Sequence, residues 1–73
     1  MMNEIDLYIK KLGENIVRLR KEKKLKQIDL AINLDIEDSA LRRIEKGRTN
    51  PTIKTLYLIA KELGVKVKDL IDV

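Results

Sequence analysis

Between Gln27 and Gly47 the sequence QIDLAINLDIEDSALRRIEKG carries two short helical patterns with a sharp break between them, and that break constrains the fold more than any other feature. Ile28, Leu30, Ala31 and Leu34 recur at helical spacing before it. Leu41 and Ile44 do the same after it, and Ile36 sits in the break itself. Ala31 is expected to face the second helix, where only a small side chain lets two short helices cross closely. Asp35 stands where the chain must turn sharply, and Asp tolerates the left-handed conformation better than most non-glycine residues. The spacing therefore predicts two short helices at an angle, joined by a tight turn, over about residues 27–46.

The rest of the chain reads as helices packed around that pair. Ile5, Tyr8, Ile9, Leu12, Ile16 and Leu19 fall at three- and four-residue intervals, so an amphipathic first helix is expected from about Glu4 to Glu22. Gly13 interrupts it at a cost of roughly 1 kcal/mol relative to Ala, and is expected to mark a kink or a start. The second and third helices are expected over Gln27–Leu34 and Asp38–Lys46, with Gly47 ending the third. Arg48-Thr49-Asn50-Pro51 reads as a loop. Thr52 caps a fourth helix whose apolar face is Ile53, Leu56, Ile59, Ala60 and Leu63, and Gly64 stops it. A short fifth helix, roughly Val67 to Asp72, turns Leu70 inward. The expected fold class is all-α, a compact five-helix bundle forming a single domain over residues 1–73. With no Phe and no Trp among 73 residues, its core must be aliphatic.

The spacing of these residues resembles that of the lambda-repressor/Cro-like helix-turn-helix family, often called XRE-type regulators. The residues that carry the resemblance are Gln27, Leu30-Ala31, Asp35-Ile36, Arg43-Ile44-Glu45-Lys46-Gly47 and Asn50-Pro51. It continues through Thr55-Leu56, Ile59-Ala60-Lys61, Leu63-Gly64-Val65 and Asp69-Leu70, so it covers roughly Leu12 to Ile71. The resemblance implies a lambda-repressor-like DNA-binding domain. Because the family's own first helix begins near Leu12, it also makes residues 1–11 a helical extension. The chain departs from the pattern in four places. Asp35 replaces the turn glycine, Lys26 and Glu37 replace Ser/Thr caps, and Lys66 replaces a Ser before the last helix. The acid pair Glu37-Asp38 means that no base preference is carried over from the family.

On DNA, groove geometry assigns the roles. The major groove admits one helix, whose N-terminal residues meet base edges while the preceding helix crosses the backbone. With Leu41 and Ile44 turned inward, Asp38, Ser39, Arg42 and Arg43 form the exposed face. The resemblance maps base reading onto Asp38, Ser39 and Arg43, with Glu37 and Arg42 beside them. Arg43 can hold guanine through two parallel hydrogen bonds, and Glu37 or Asp38 can accept from cytosine N4. The alternative for the two acids is that they cap the helix and suit its dipole. Gln27 opens its helix, where backbone N–H groups and the side-chain amide can grip phosphate. The resemblance has this Gln also buttress the reading helix. Lys26, Lys46, Arg48, Thr49 and Asn50 flank the groove as phosphate contacts that position the protein without specifying sequence. The resemblance further pairs Arg20 with Glu45 as a buried ion pair.

Other chemistry finds little support. The chain has no His and no Cys, so the commonest general base, the thiolate ligands and disulfides are all absent. The DIED run of Asp35 to Asp38 lacks the alternating ligand spacing of a calcium loop. No catalysis, metal, cofactor or small-molecule ligand is expected. The net charge of +4 favours a polyanionic partner. With no apolar run of membrane-span length and no signal peptide, a cytoplasmic, nucleoid-associated location is expected.

One module makes few contacts, so double-stranded DNA is expected to be bound by a homodimer, most often in repression. Tyr57 and Leu58 lie outside the inward stripe of the fourth helix, and Ile71 and Val73 have no core position. A second copy can cover them, and the resemblance places such a contact at the fifth helix and the loop before it. Alternatively, Ile71 and Val73 fold back onto Ile5 and Tyr8 of the first helix. The rival function is a helix-turn-helix-fold protein-interaction module or antitoxin-like partner, for which the acid pair speaks. The resemblance extends equally to small phage repressors, restriction-modification controller proteins and antitoxins.

Overall fold

The computed structural model describes residues 3–72, and Val73 of the expected dimer surface lies outside them. Among these residues five helices follow one another: α1 (Glu4–Glu22), α2 (Gln27–Leu34), α3 (Asp38–Glu45), α4 (Ile53–Leu63) and α5 (Val67–Leu70). No strand occurs among the described residues. α1 packs on α3, α4 and α5, α2 on α3 and α4, and α4 on α5. Ile16, Leu30, Leu41, Ile59, Leu63 and Leu70 meet in the centre with no appreciable exposure, so every helix contributes an aliphatic side chain to one core.

Local chemistry sets the ends of these helices. Asn3 opens α1 with a reciprocal cap: its Oδ1 accepts from the Asp6 N–H at 2.9 Å, and its own N–H donates to Asp6 Oδ2 at 3.4 Å. Lys26 and Lys66 have no oxygen with which to cap. There the Asp three residues on supplies the missing half, since Asp29 Oδ2 accepts from the Lys26 N–H (3.2 Å) and Asp69 Oδ2 from the Lys66 N–H (2.9 Å). The four longer helices all stop in the same way. Each is followed by a left-handed residue: Lys24 (φ 58°), Asp35 (56°), Gly47 (69°) and Gly64 (70°). In each case the next N–H reaches back to a carbonyl in the last turn, as Ile36 does to Ala31 at 3.0 Å and Val65 to Ala60 at 2.9 Å. Asp35 thus fills a position that usually takes glycine.

Several sequence expectations need correction. α3 ends at Glu45, with Lys46 as its cap rather than its last residue, and α5 stops at Leu70. Gly13 neither kinks nor starts a helix, because α1 runs through it unbroken. Its role is contact. A Cβ there would lie 2.5 Å from the Glu45 carbonyl oxygen and 2.6 Å from that of Ile44, so only glycine lets α1 approach the end of α3. Ile53 and Ile28 are not core residues, being 71 % and 48 % exposed. Each lies in the first turn of its helix, where an apolar residue can share the helix's inward pattern yet project beyond the edge of the core. Ile5 and Tyr8 are likewise about half exposed, at the outer end of α1.

Candidate nucleic-acid interface

α3 is only eight residues long, and its two sides divide sharply. Leu41, Ile44 and Glu45 are buried, while Asp38, Ser39, Arg42 and Arg43 are exposed. Burying Glu45 demands partners, since a stranded carboxylate in an aliphatic interior costs several kcal/mol. Arg20 Nε donates to Glu45 Oε2 at 2.8 Å and Arg20 Nη2 to Glu45 Oε1 at 3.2 Å, in the fork geometry that suits a carboxylate. Gln27 Nε2 adds a third bond, to Glu45 Oε1 at 2.8 Å. The remaining guanidinium nitrogen, Arg20 Nη1, donates to the Leu25 carbonyl at 2.8 Å. No buried side-chain nitrogen or oxygen among the described residues is left without a partner. The network joins the end of α1, the start of α2 and the end of α3, and so fixes the angle at which α3 is presented.

On the exposed side, Arg42 Nη2 meets Asp38 Oδ2 at 3.3 Å, one helical turn away. Ser39 Oγ lies 3.5 Å from Glu37 Oε2. Neither Glu37 nor Asp38 accepts from a backbone N–H of α3, so their carboxylates stay on the surface. Arg43 forms no ion pair among the described residues. It lines a shallow groove of about 260 Å³ together with Ala40, Thr49, Asn50, Thr52 and Thr55. The structure thereby brings Arg43, Thr49 and Asn50 to one concavity. Lys26, Lys46 and Arg48 are exposed, and Gln27 is half-buried because its amide is turned to Glu45. In the sequence Thr55 carries only the family resemblance and Thr52 only a cap, with no site role for either. Their signal is the Thr52-x-x-Thr55 spacing just after Asn50-Pro51, which turns both hydroxyls to the same side. The two oxygens lie 3.1 Å apart.

The apolar residues left over from the core gather elsewhere. Ile71 lines a groove of about 270 Å³ with Ile5, Tyr8, Pro51, Ile53 and Leu56. Chain end and first helix do meet, yet Ile71, Ile5 and Tyr8 each stay about half exposed, so the fold-back leaves them unburied. Tyr57 lines a second groove with Val65 and Val67, and Leu58 lies on neither. Among the described residues no three His, Cys, Asp or Glu side chains converge as a metal site would require.

A helix-turn-helix family model matches residues 16–70, which include α2, the turn and α3. The chain belongs to this helix-turn-helix family. The HTH-type transcriptional regulator y4dJ of Sinorhizobium fredii, uncharacterised in function, is 40 % identical over 62 residues, covering 85 % of this chain and 80 % of the relative. The immunity repressor protein of Bacillus phage phi105 is 38 % identical over 60 residues, covering 82 % of this chain but only 42 % of the repressor. Among solved structures, the restriction-modification controller protein C.AhdI of Aeromonas hydrophila superposes with a TM-score of 0.81 at 26 % identity, covering 85 % of this chain and 94 % of that one. These likenesses, with the family match, make the chain a DNA-binding transcriptional regulator of the helix-turn-helix family. α1 begins twelve residues before the matched segment, and its Lys10 backbone still packs on Gly47 at the end of α3.

Proposed function

We propose that the chain is a sequence-specific regulator that reads the DNA major groove with α3, binds as a homodimer and represses by occupying its site. The observation that carries this reading is the division of α3. Its buried side is locked by Arg20, Glu45 and Gln27, while its open side presents Arg43 without an internal partner. A preset helix with an unpaired arginine meets the requirement for a bidentate contact with guanine. The Arg42–Asp38 pair offsets part of the acid at the head of the helix, so Asp38 and Ser39 can face base edges with less repulsion from phosphate. Lys26, Gln27, Lys46, Arg48, Thr49 and Asn50 hold the backbone on either side.

The dimer follows from the limited contact that one module makes. Tyr57 and Ile71 supply exposed apolar surface at α4 and beyond α5, and Ile53 enlarges it. Two copies related by two-fold symmetry would read half-sites about 34 Å apart. The phi105 relative is named a repressor and C.AhdI a controller, which supports a regulatory role without any catalytic step. Among the described residues no helix is long and apolar enough to cross a membrane; a role on DNA supports a cytoplasmic site of action.

A gel-shift with the DNA upstream of the protein's own gene tests this reading. Retardation that resists excess random DNA, and that Arg43→Ala weakens and makes less selective, is the expected result. A second reading, a protein-interaction module, draws on Ile28 and Ile32, which leave an exposed apolar pair one turn apart on α2. Failure to retard any specific fragment would favour that module.

A further inference from the structure

α1 carries apolar surface that the fold does not use. Its inward side is Leu12, Gly13, Ile16 and Arg20, yet Leu7 and Tyr8 are each 51 % exposed. A lone exposed Leu needs no explanation. Here, however, Glu4, Leu7, Tyr8 and Lys11 stand at i, i+3, i+4 and i+7, so they share one stripe, and they line one shallow concavity. The stripe has an acid at one end, two large apolar side chains in the middle and a base at the other end. Glu4 and Lys11 are separated by about 10 Å of helical rise, too far to pair with each other. Glu4 has no ion pair among the described residues, and Lys11 reaches only Glu14, at 4.0 Å with both side chains more than half exposed.

We propose that this stripe is a contact between two copies of the chain, packed as antiparallel α1 helices about a two-fold axis beside Leu7 and Tyr8. Running the helices in opposite directions sets Glu4 of each copy against Lys11 of the other, and Leu7 and Tyr8 against their own counterparts. A parallel pair would instead oppose acid to acid and base to base. The charge pattern is therefore self-complementary in one orientation only, as an isologous contact requires. Opposed helix dipoles favour the same orientation. Two helical turns from each side bury less than the roughly 1,200 Å² of a stable specific interface, so the contact is weak between free molecules. It gains strength when two copies are already held close together, as on neighbouring DNA sites. Self-association in solution does not depend on DNA binding, whereas this use of it rests on the function proposed above.

Sedimentation of the full chain over a concentration series tests the contact, with Tyr57→Asp and Ile71→Asp present throughout to silence the α4–α5 surface. In that background, association that grows with concentration is expected. Glu4→Lys and Lys11→Glu should each abolish it alone. A one-to-one mixture of these two variants should restore it, because each then meets its opposite charge, and so should both changes in one chain. Helical melting curves matched to the parent would show that the single variants remain folded. No association in the parent background, single variants that still associate, or a mixture that fails to recover would each overturn the contact. A protein that fails here but shifts its DNA keeps the proposed function, and one that passes here but shifts none loses that function and keeps the contact.

Discussion

Arg20 and Glu45 show how much a single buried pair can decide. Both are under a tenth exposed, and every hydrogen-bonding atom of the pair is engaged. Removing either partner leaves the other charge stranded, so Arg20→Ala and Glu45→Ala should each cost about 3–5 kcal/mol in denaturant unfolding. Losses below about 1 kcal/mol would mean that water reaches the pair. Gln27→Ala should cost less, about 1–3 kcal/mol, because Glu45 Oε1 keeps its bond from Arg20 Nη2. Two backbone positions both favour glycine, for different reasons. At Lys24, with φ 58°, a side chain is held in left-handed geometry, so Lys24→Gly should stabilise by about 0.5–1 kcal/mol. Helix propensity alone would favour Gly13→Ala by about 1 kcal/mol. The new methyl, however, would meet the Ile44 and Glu45 carbonyl oxygens within 2.6 Å, and a net loss of about 1–3 kcal/mol is expected. Thermal melts of the two variants should therefore move in opposite directions.

Individual helices carry the division between reading and gripping. Arg43 belongs to the open side of α3, whereas Arg48 follows the left-handed Gly47 and lies off the helix. Arg43→Ala should cost about 1–3 kcal/mol on the preferred site and relax preference at particular base pairs. Arg48→Ala should weaken all sequences alike. Titrations on specific and random DNA would separate the two, and equal effects of both changes on both DNAs would remove Arg43 from the reading role. Apart from the last residues of α3 and α5, helix boundaries were legible in the sequence because caps and stops are local: Thr52, Gly47, Gly64 and Asp35 each act within a few residues of themselves. What escaped was long-range or axial. Asn15 donates to the carbonyls of Leu70 (2.9 Å) and Asp72 (3.2 Å), tying α1 to the end of α5, a bond across more than fifty residues that no spacing reveals. Ile53 and Ile28 misled because periodicity gives the direction of a side chain around the helix but not whether a neighbour extends far enough to cover it. Gly13 misled for a related reason, since close approach is a property of two helices. At the candidate interface the exposed face of α3 was legible from Leu41 and Ile44 alone. The Arg42–Asp38 pair and the groove around Arg43 needed side-chain positions.

For the whole molecule, the balance is between a net charge of +4 and a core that, among the described residues, is closed by eleven buried aliphatic and small apolar residues. The charge should make DNA binding fall steeply with salt. A plot of log K against log salt should slope by about −0.9 for each phosphate neutralised, and the slope should roughly double when two copies bind together. The core, by contrast, has no use for Tyr57, Ile53 or Ile71, which remain between 47 % and 71 % exposed on α4 and after α5. Folding alone gains nothing from that surface, and covering it with a second copy links association to stability. Tyr57→Asp with Ile71→Asp should therefore lower the dimer population without unfolding the monomer, because neither side chain belongs to the core. Sedimentation at matched concentrations would show the wild type with twice the monomer mass and the double variant shifted toward the monomer. On DNA the same variant should lose affinity for a two-half-site operator far more than for a single half-site, since each α3 remains intact while the two-fold pairing is lost. An unchanged sedimentation profile for the double variant would place the contact between copies on another face.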